Sequence, residues 1–227
     1  MKKKVFYTEI AYLLGLVILA LGTSLMERAE FGVSMVVAPA YLIYLKMSQS
    51  FSFFTFGMAE YLFQGCLLIL MIILLRQFKI SYLFSFVTAV IYGFTLDGAM
   101  WIISFLPGTD IPARIIFYVV GLLGCSLGVS LLFHTYISPE VYELWVKEMS
   151  RRHNIDINRY KTGYDCVSCL IGVVLSFLFF GFGRFEGVKI GTILCALCNG
   201  FVIGRFTIVL EKMWVFKDGL SIKKLFQ

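Results

Sequence analysis

Long apolar runs separated by short polar stretches recur along this chain. Six are long enough for a membrane-crossing helix, which needs about 20 mainly apolar residues. They cover 7–26, 56–75, 80–103, 115–133, 164–182 and 190–210. The first follows Met1-Lys-Lys-Lys. Its length and the lack of a small-x-small cleavage pattern mark it as a membrane helix rather than a secretory signal. Two further segments are too short to span. Residues 32–45 contain Pro39, which breaks a helix interior, and an interfacial or re-entrant helix is expected there. In 138–152, Ser138 is expected to cap a helix, Pro139 to take its first position and Glu140 to favour its positive start. Val141, Leu144, Trp145 and Met149 then share one face, with Glu143, Lys147, Glu148 and Arg151 elsewhere. That pattern predicts an amphipathic helix lying on the cytoplasmic surface.

The runs also repeat. Gly15 to Leu25 matches Gly121 to Leu131, and Tyr82 to Asp97 matches Lys189 to Gly204, each at an offset of about 106 positions. Each half reads helix, short segment, helix, helix. Three spans per half is an odd number, so the second copy must enter the membrane upside down, with the turn between halves at 106–112. The expected fold is an all-α membrane protein with six transmembrane helices in two inverted three-helix repeats, each with a short interfacial or re-entrant helix. Repeat 1 covers about 7–105 and repeat 2 about 113–211, within one polytopic domain, 1–227. Inverted repeats of this kind often build a site near the bilayer midplane, at the repeat interface.

Composition agrees: 59% of residues are hydrophobic and only 15% charged, outside the range of soluble domains. Lys and Arg set the orientation. Lys2–Lys4, Arg76, Lys79, the basic residues of 147–161 and those of 212–224 fall on one side. Arg28, Lys46, Arg114, Arg184 and Lys189 fall on the other. Both termini are therefore expected in the cytoplasm, with the protein in the cell membrane. The net charge of +6 reads as inner-face anchoring to lipid, not as nucleic-acid binding. The cysteines all sit within apolar segments, which argues against disulfides.

Three stretches resemble the YczE/YitT-like family of bacterial integral membrane proteins: Phe31-Gly-Val-Ser, with Met35 where many relatives have Pro; Arg159-Tyr-Lys followed by Asp165; and Gly187-Val-Lys-Ile-Gly-Thr192, running into Ala196, Gly200 and Gly204. The first-half counterpart of Gly191-Thr192 in the repeat alignment, Phe84-Ser85, departs from that pattern. The resemblance implies a multi-pass inner-membrane protein and supplies no reaction.

Charged groups inside membrane helices are costly and usually face a partner or a water-filled cavity. Glu60 and Asp165 stand about 105 positions apart, each early in the second spanning helix of its half. The duplication thus puts one carboxylate on either side of a pseudo-two-fold axis, to bind a cation, carry a proton or hold a polar solute. Placement near a helix N-terminus explains them equally. Gln64, Asn199 and Tyr92 are further substrate or ion ligands in this reading, with Thr88 beside them, and helix-to-helix hydrogen bonding is the plainer role. Asp97 and Arg205 are expected at opposite membrane surfaces. Cys166, Cys169, Cys195 and Cys198 have CxxC spacing, which in a soluble knuckle would signal a metal. Within helices they read as packing, with a thiol site the lesser alternative. His134 and His153 have no ligand spacing.

No HExxH, phosphate loop or nucleophile elbow is present. No enzyme, cofactor or structural metal is expected. Two functions stay open: a small-solute transporter or substrate-binding membrane subunit, and a non-transporting scaffold or regulator acting through its cytoplasmic basic segments. Either is compatible with a homo-oligomer or a membrane partner. A polar pocket enclosed by both halves favours the first.

Overall fold

The computed structural model describes residues 4–108, 110–183 and 185–220, apart from the side chain of residue 158. Lys2, Lys3, Arg184, Lys223 and Lys224 of the charge pattern, and Thr109 in the inter-repeat turn, lie outside the described residues. The elements are β1 (Lys4–Tyr7), α1 (Thr8–Ala29), α2 (Ala38–Met47), α3 (Phe56–Leu75), α4 (Ile80–Ser104), α5 (Ile111–Phe133), α6 (Val141–His153), α7 (Ile157–Phe180), α8 (Ile190–Met213) and β2 (Trp214–Lys217). Helices α1, α3, α4, α5, α7 and α8 are each long and apolar enough to cross a membrane. Their outer faces carry large apolar side chains such as Leu13, Ile73, Phe94, Trp101, Leu178 and Leu197. A soluble protein would bury these; here they suit lipid.

The two halves pack as inverted copies. Helix α1 contacts α4 as α5 contacts α8, α3 contacts α4 as α7 contacts α8, and α1 and α5 form the central pair. A Cβ on Gly15 would meet the Gly128 carbonyl oxygen at 3.1 Å, and one on Gly128 would meet that of Gly15 at 2.8 Å. Gly22 and Gly121 are related in the same way. Shifting each glycine to its repeat partner turns one close approach into the other, as a pseudo-two-fold axis through the α1–α5 contact requires. Small residues at these crossings let the backbones approach, the main source of helix association where no hydrophobic drive exists between helices.

The antiparallel α1–α5 pair fixes directions. Helix α5 ends at the face where α1 begins, which is also the face of both ends of the described chain. There β1 and β2 pair in parallel, with Lys4 opposite Trp214 and Tyr7 opposite Lys217. Glu9 of α1 closes the clasp by accepting the Gly219 and Leu220 N–H groups. This short sheet was not expected from the sequence. With β1 and β2 side by side on one face, the number of crossings between them must be even.

Neither short helix lies flat on a surface. The Val141 N–H at the start of α6 donates to Gln64 Oε1, part-way along α3, at 3.0 Å. Near its other end, Arg152 donates to the carbonyl of Leu75, the last residue of α3. Helix α6 therefore starts deep between the spans and runs out to the face of the chain ends. Its expected surface position is wrong. The apolar face, with Val141, Leu144 and Met149, packs on Leu68, Met71 and Tyr82. Of the polar positions, Glu143 turns inward to the cavity, Glu148 pairs with Lys79, and Lys147 and Arg151 stay exposed. The expected cap is wrong too: the helix begins at Val141, two residues past Pro139, with Glu140 as N-cap making no side-chain cap bond. Helix α2 is the inverted counterpart. Ala38, its first residue, packs against Gly172 of α7, and Lys46 near its end reaches the Phe179 carbonyl close to the end of α7. It thus runs outward to the opposite face.

Candidate functional site

The chain enters each half-helix through a loop pinned by a matching set of bonds. Thr192 Oγ1 donates to the Val33 carbonyl at 2.8 Å, and Thr88 Oγ1 donates to the Ser138 carbonyl at 2.9 Å. The sequence repeat pairs Thr192 with Ser85. The structure gives the equivalent role to Thr88, one helical turn further on, so the apparent departure at Phe84-Ser85 is a shift of register. Tyr12 and Tyr118, one per repeat, reach the starts of the same two interactions, at Thr88 Oγ1 and at the Gly191 carbonyl.

These loops bring the beginnings of α2 and α6 to one cavity of about 40 Å³. Its wall combines Thr23, Ser34, Val37 and Tyr92 of the first half with Cys125, Glu140, Tyr142, Glu143, Lys161 and Asn199 of the second. Tyr92 shares a hydrogen bond with Thr23 Oγ1 at 3.0 Å. Asn199 Oδ1 accepts from Ser126 at 2.8 Å. The predicted pair Tyr92 and Asn199 thus lies at the same wall, each tied to the first helix of its own half.

Glu60 and Gln64 stand directly behind. The Gln64 amide donates to Glu60 Oε2 at 3.3 Å and to Glu140 Oε2 at 3.0 Å, while Tyr142 donates its hydroxyl to Glu60 Oε2 at 2.9 Å. Both acids are buried, and the second oxygen of each, Oε1, has no hydrogen-bond partner. On the other side, Lys161 Nζ lies 3.9 Å from Glu143 Oε1 and 3.7 Å from Asp165 Oδ1. Glu60 and Asp165 do not meet directly. They belong to two linked groups, Glu60–Gln64–Glu140 and Glu143–Lys161–Asp165, joined through the first turn of α6.

Lys161 is therefore no inner-face anchor, as its basic neighbourhood implied; its side chain is only 15% exposed. Burial, followed by the nearby Glu143 and Glu60 carboxylates, pushes the Glu140 carboxyl well above its usual range. Burial also raises Glu143, against the opposing pull of Lys161. Four acids lie near a single ammonium, which pairs with Glu143 and Asp165; ionising all four would leave unpaired buried charge, which is expensive.

Of the remaining predicted groups, Asp97 accepts from the Gly57 N–H at 2.8 Å and Thr55 Oγ1 at 2.7 Å, fixing the start of α3. Arg205 is exposed and lies over the Phe201 ring. Cys166 and Cys198 are exposed, Cys169 is half-buried and Cys195 is buried. Among the described residues no three His, Cys, Asp or Glu side chains converge as a metal site. His134 and His153 bond to carbonyls one turn back in their own helices. Sequence reasoning missed Tyr142, Glu140, Glu143 and Lys161 as site residues. One signal was present: 33–37 and 138–142 stand at the repeat offset, so a re-entrant reading of the first segment implied the same for the second.

Fold and site define a polytopic membrane protein built of two inverted repeats around a buried, acid-rich cavity. The family model of DUF6198, a family of unknown function, matches residues 6–208, and the chain belongs to that family. No curated protein and no solved structure matches it.

Proposed function

We propose that the protein is a small-solute carrier of the cytoplasmic membrane, with both termini inside, working by alternating exposure of the central cavity. One observation carries this reading: a single cavity is lined by both repeats and reached from opposite faces by two half-helices. A scaffold has no need of buried polar groups at its centre, where they destabilise unless satisfied. In carriers of inverted-repeat design, interrupted helices place their termini at a midplane site, and one part rocks against the other. The close α1–α5 contact suits a fixed axis for such motion. A second cleft of about 440 Å³, between α5, α6, α7 and α8, shares Glu143 and Lys161 with the central cavity. That ion pair is the wall between them, so displacing Lys161 opens the site toward the face of the chain ends. The acids are held by an amide and an ammonium, not by a nucleophile and its base, which favours binding over chemistry. The resemblance to YczE/YitT-like proteins fits this location and plan.

Cys125 lines the cavity and supplies the test. In a chain whose other five cysteines are replaced by Ala, a membrane-impermeant methanethiosulfonate reagent should modify Cys125 from either face of sealed vesicles. Protection from both faces, with full labelling after unfolding, would support the scaffold reading instead.

A further inference from the structure

We propose that the proton is the coupling ion of this carrier, and that Glu140, bridged to Glu60 through Gln64, is the group that takes it up and releases it. This rests on the carrier reading and names the ion that drives it. The geometry carries the inference in four steps. Glu140 sits at the inner tip of α6, on the cavity wall, so it moves with the half-helix that would open the site. Its Oε1 atom is buried and unpartnered, as is Oε1 of Glu60. Each carboxylate uses one oxygen to accept from Gln64, leaving the other free for an exchangeable ligand.

Compensation is the second step. Lys161 lies between Glu143 and Asp165, so among the described residues no cationic side chain is paired with Glu60 or Glu140. Two buried carboxylates bridged by one neutral amide need another positive charge. Size and donor set then select it. A cavity of about 40 Å³ holds one to a few waters and no organic cation, since one water needs about 10–15 Å³ on this measure. Among the described residues no three carboxylates converge as a metal site, whereas a divalent ion takes six or more oxygen ligands. A proton needs a single carboxylate oxygen. The balance is simple: Glu140–COO⁻ and H⁺ give Glu140–COOH in the closed state. Hydration on opening favours the reverse, releasing H⁺ to the face then exposed.

Glu140 is faced by Tyr12 and Thr23 from α1, Glu60 and Gln64 from α3, Tyr92 from α4, Cys125 from α5, Glu143 and Tyr142 from α6 and Lys161 from α7. Lys161 is the only cation in this set, and it is engaged elsewhere. The raised Glu140 carboxyl agrees in sign: the protonated form persists above the usual glutamate range and is lost as pH rises through the raised value.

The test compares wild type with Glu140→Gln, which mimics the protonated acid and should fold. The infrared difference between the two near neutral pH should contain the C=O stretch of a protonated carboxyl, and this band should disappear as pH is raised. If the Gln variant does not fold, Glu140→Asp replaces it, with the band expected to titrate at a shifted pH. In the Cys125 vesicle assay, the ratio of inner to outer labelling should change between pH 6 and pH 9 in wild type and stay constant in Glu140→Gln. A missing band overturns the proposal, as does labelling from both faces that ignores pH. A melting temperature raised by sodium or potassium chloride but not by choline chloride assigns the site to an alkali ion and also overturns it. Cys125 protected from both faces removes the carrier reading itself, whatever the band shows.

Discussion

Gln64 is the residue on which the centre of the molecule turns. Its amide nitrogen serves two carboxylates and its oxygen accepts the first N–H of α6. That N–H is one of the four that a helix start leaves without an internal partner, and it lies too deep for water to reach freely. Replacing Gln64 with Leu would strand the Val141 N–H and weaken the hold on both acids. Each buried polar group left unsatisfied costs about 1–3 kcal/mol, so Q64L should lose roughly 3 kcal/mol or more of stability. Denaturant unfolding in detergent micelles measures this, and an unchanged midpoint would show that the amide is not the bridge. Gln64, Glu60 and Asp165 were legible in the sequence because a polar group inside an apolar run stands out. Glu140, Glu143 and Lys161 were not, because they sit in stretches already rich in charge. Nothing local distinguishes a charge facing water from one facing a buried cavity.

At the scale of elements, run length placed all six spans but not all their ends: 56–75 is α3 as found, whereas α5 begins at Ile111 rather than 115 and α7 at Ile157 rather than 164, because polar first turns lie outside the apolar run. The short helices were readable only in part. Pro39 and the brevity of 32–45 pointed to a re-entrant segment, whereas the amphipathic pattern of α6 pointed to a surface. Amphipathicity reports two unlike environments and does not say which is water. The glycines separate in the same way. A Cβ at Gly22 would lie 2.6 Å from the Cys125 nitrogen and at Gly128 2.8 Å from the Gly15 oxygen, whereas at Gly200 and Gly204 it meets nothing within 4 Å. Overpacking of this kind costs about 1–3 kcal/mol and sometimes more. Gly22→Leu and Gly128→Leu should therefore each lower the melting temperature clearly, while Gly200→Ala should leave it unchanged or slightly raised. Equal behaviour of all three in a thermal-shift assay would contradict the assignment of α1–α5 as the close pair.

For the whole molecule, the account joins three features: inverted halves around the α1–α5 contact, half-helices entering from opposite faces, and a small acid-rich cavity where they meet. Of these, only the inversion of the halves was written in the sequence, as a repeat; the α1–α5 contact was not. The meeting point depends on long-range bonds such as Thr88 to Ser138 and Thr192 to Val33, which no local pattern encodes. The meeting of α2 and α6 is the central claim, because both the carrier and the proton reading depend on it. Val37 and Tyr142, one from the beginning of each half-helix, line the same cavity. In a background lacking the native cysteines, Val37→Cys with Tyr142→Cys should be joined by a short bifunctional thiol reagent in intact membranes, giving an intramolecular cross-link that either single variant lacks. If no cross-link forms although both thiols react after unfolding, the two half-helices do not meet, and α6 returns to the membrane surface.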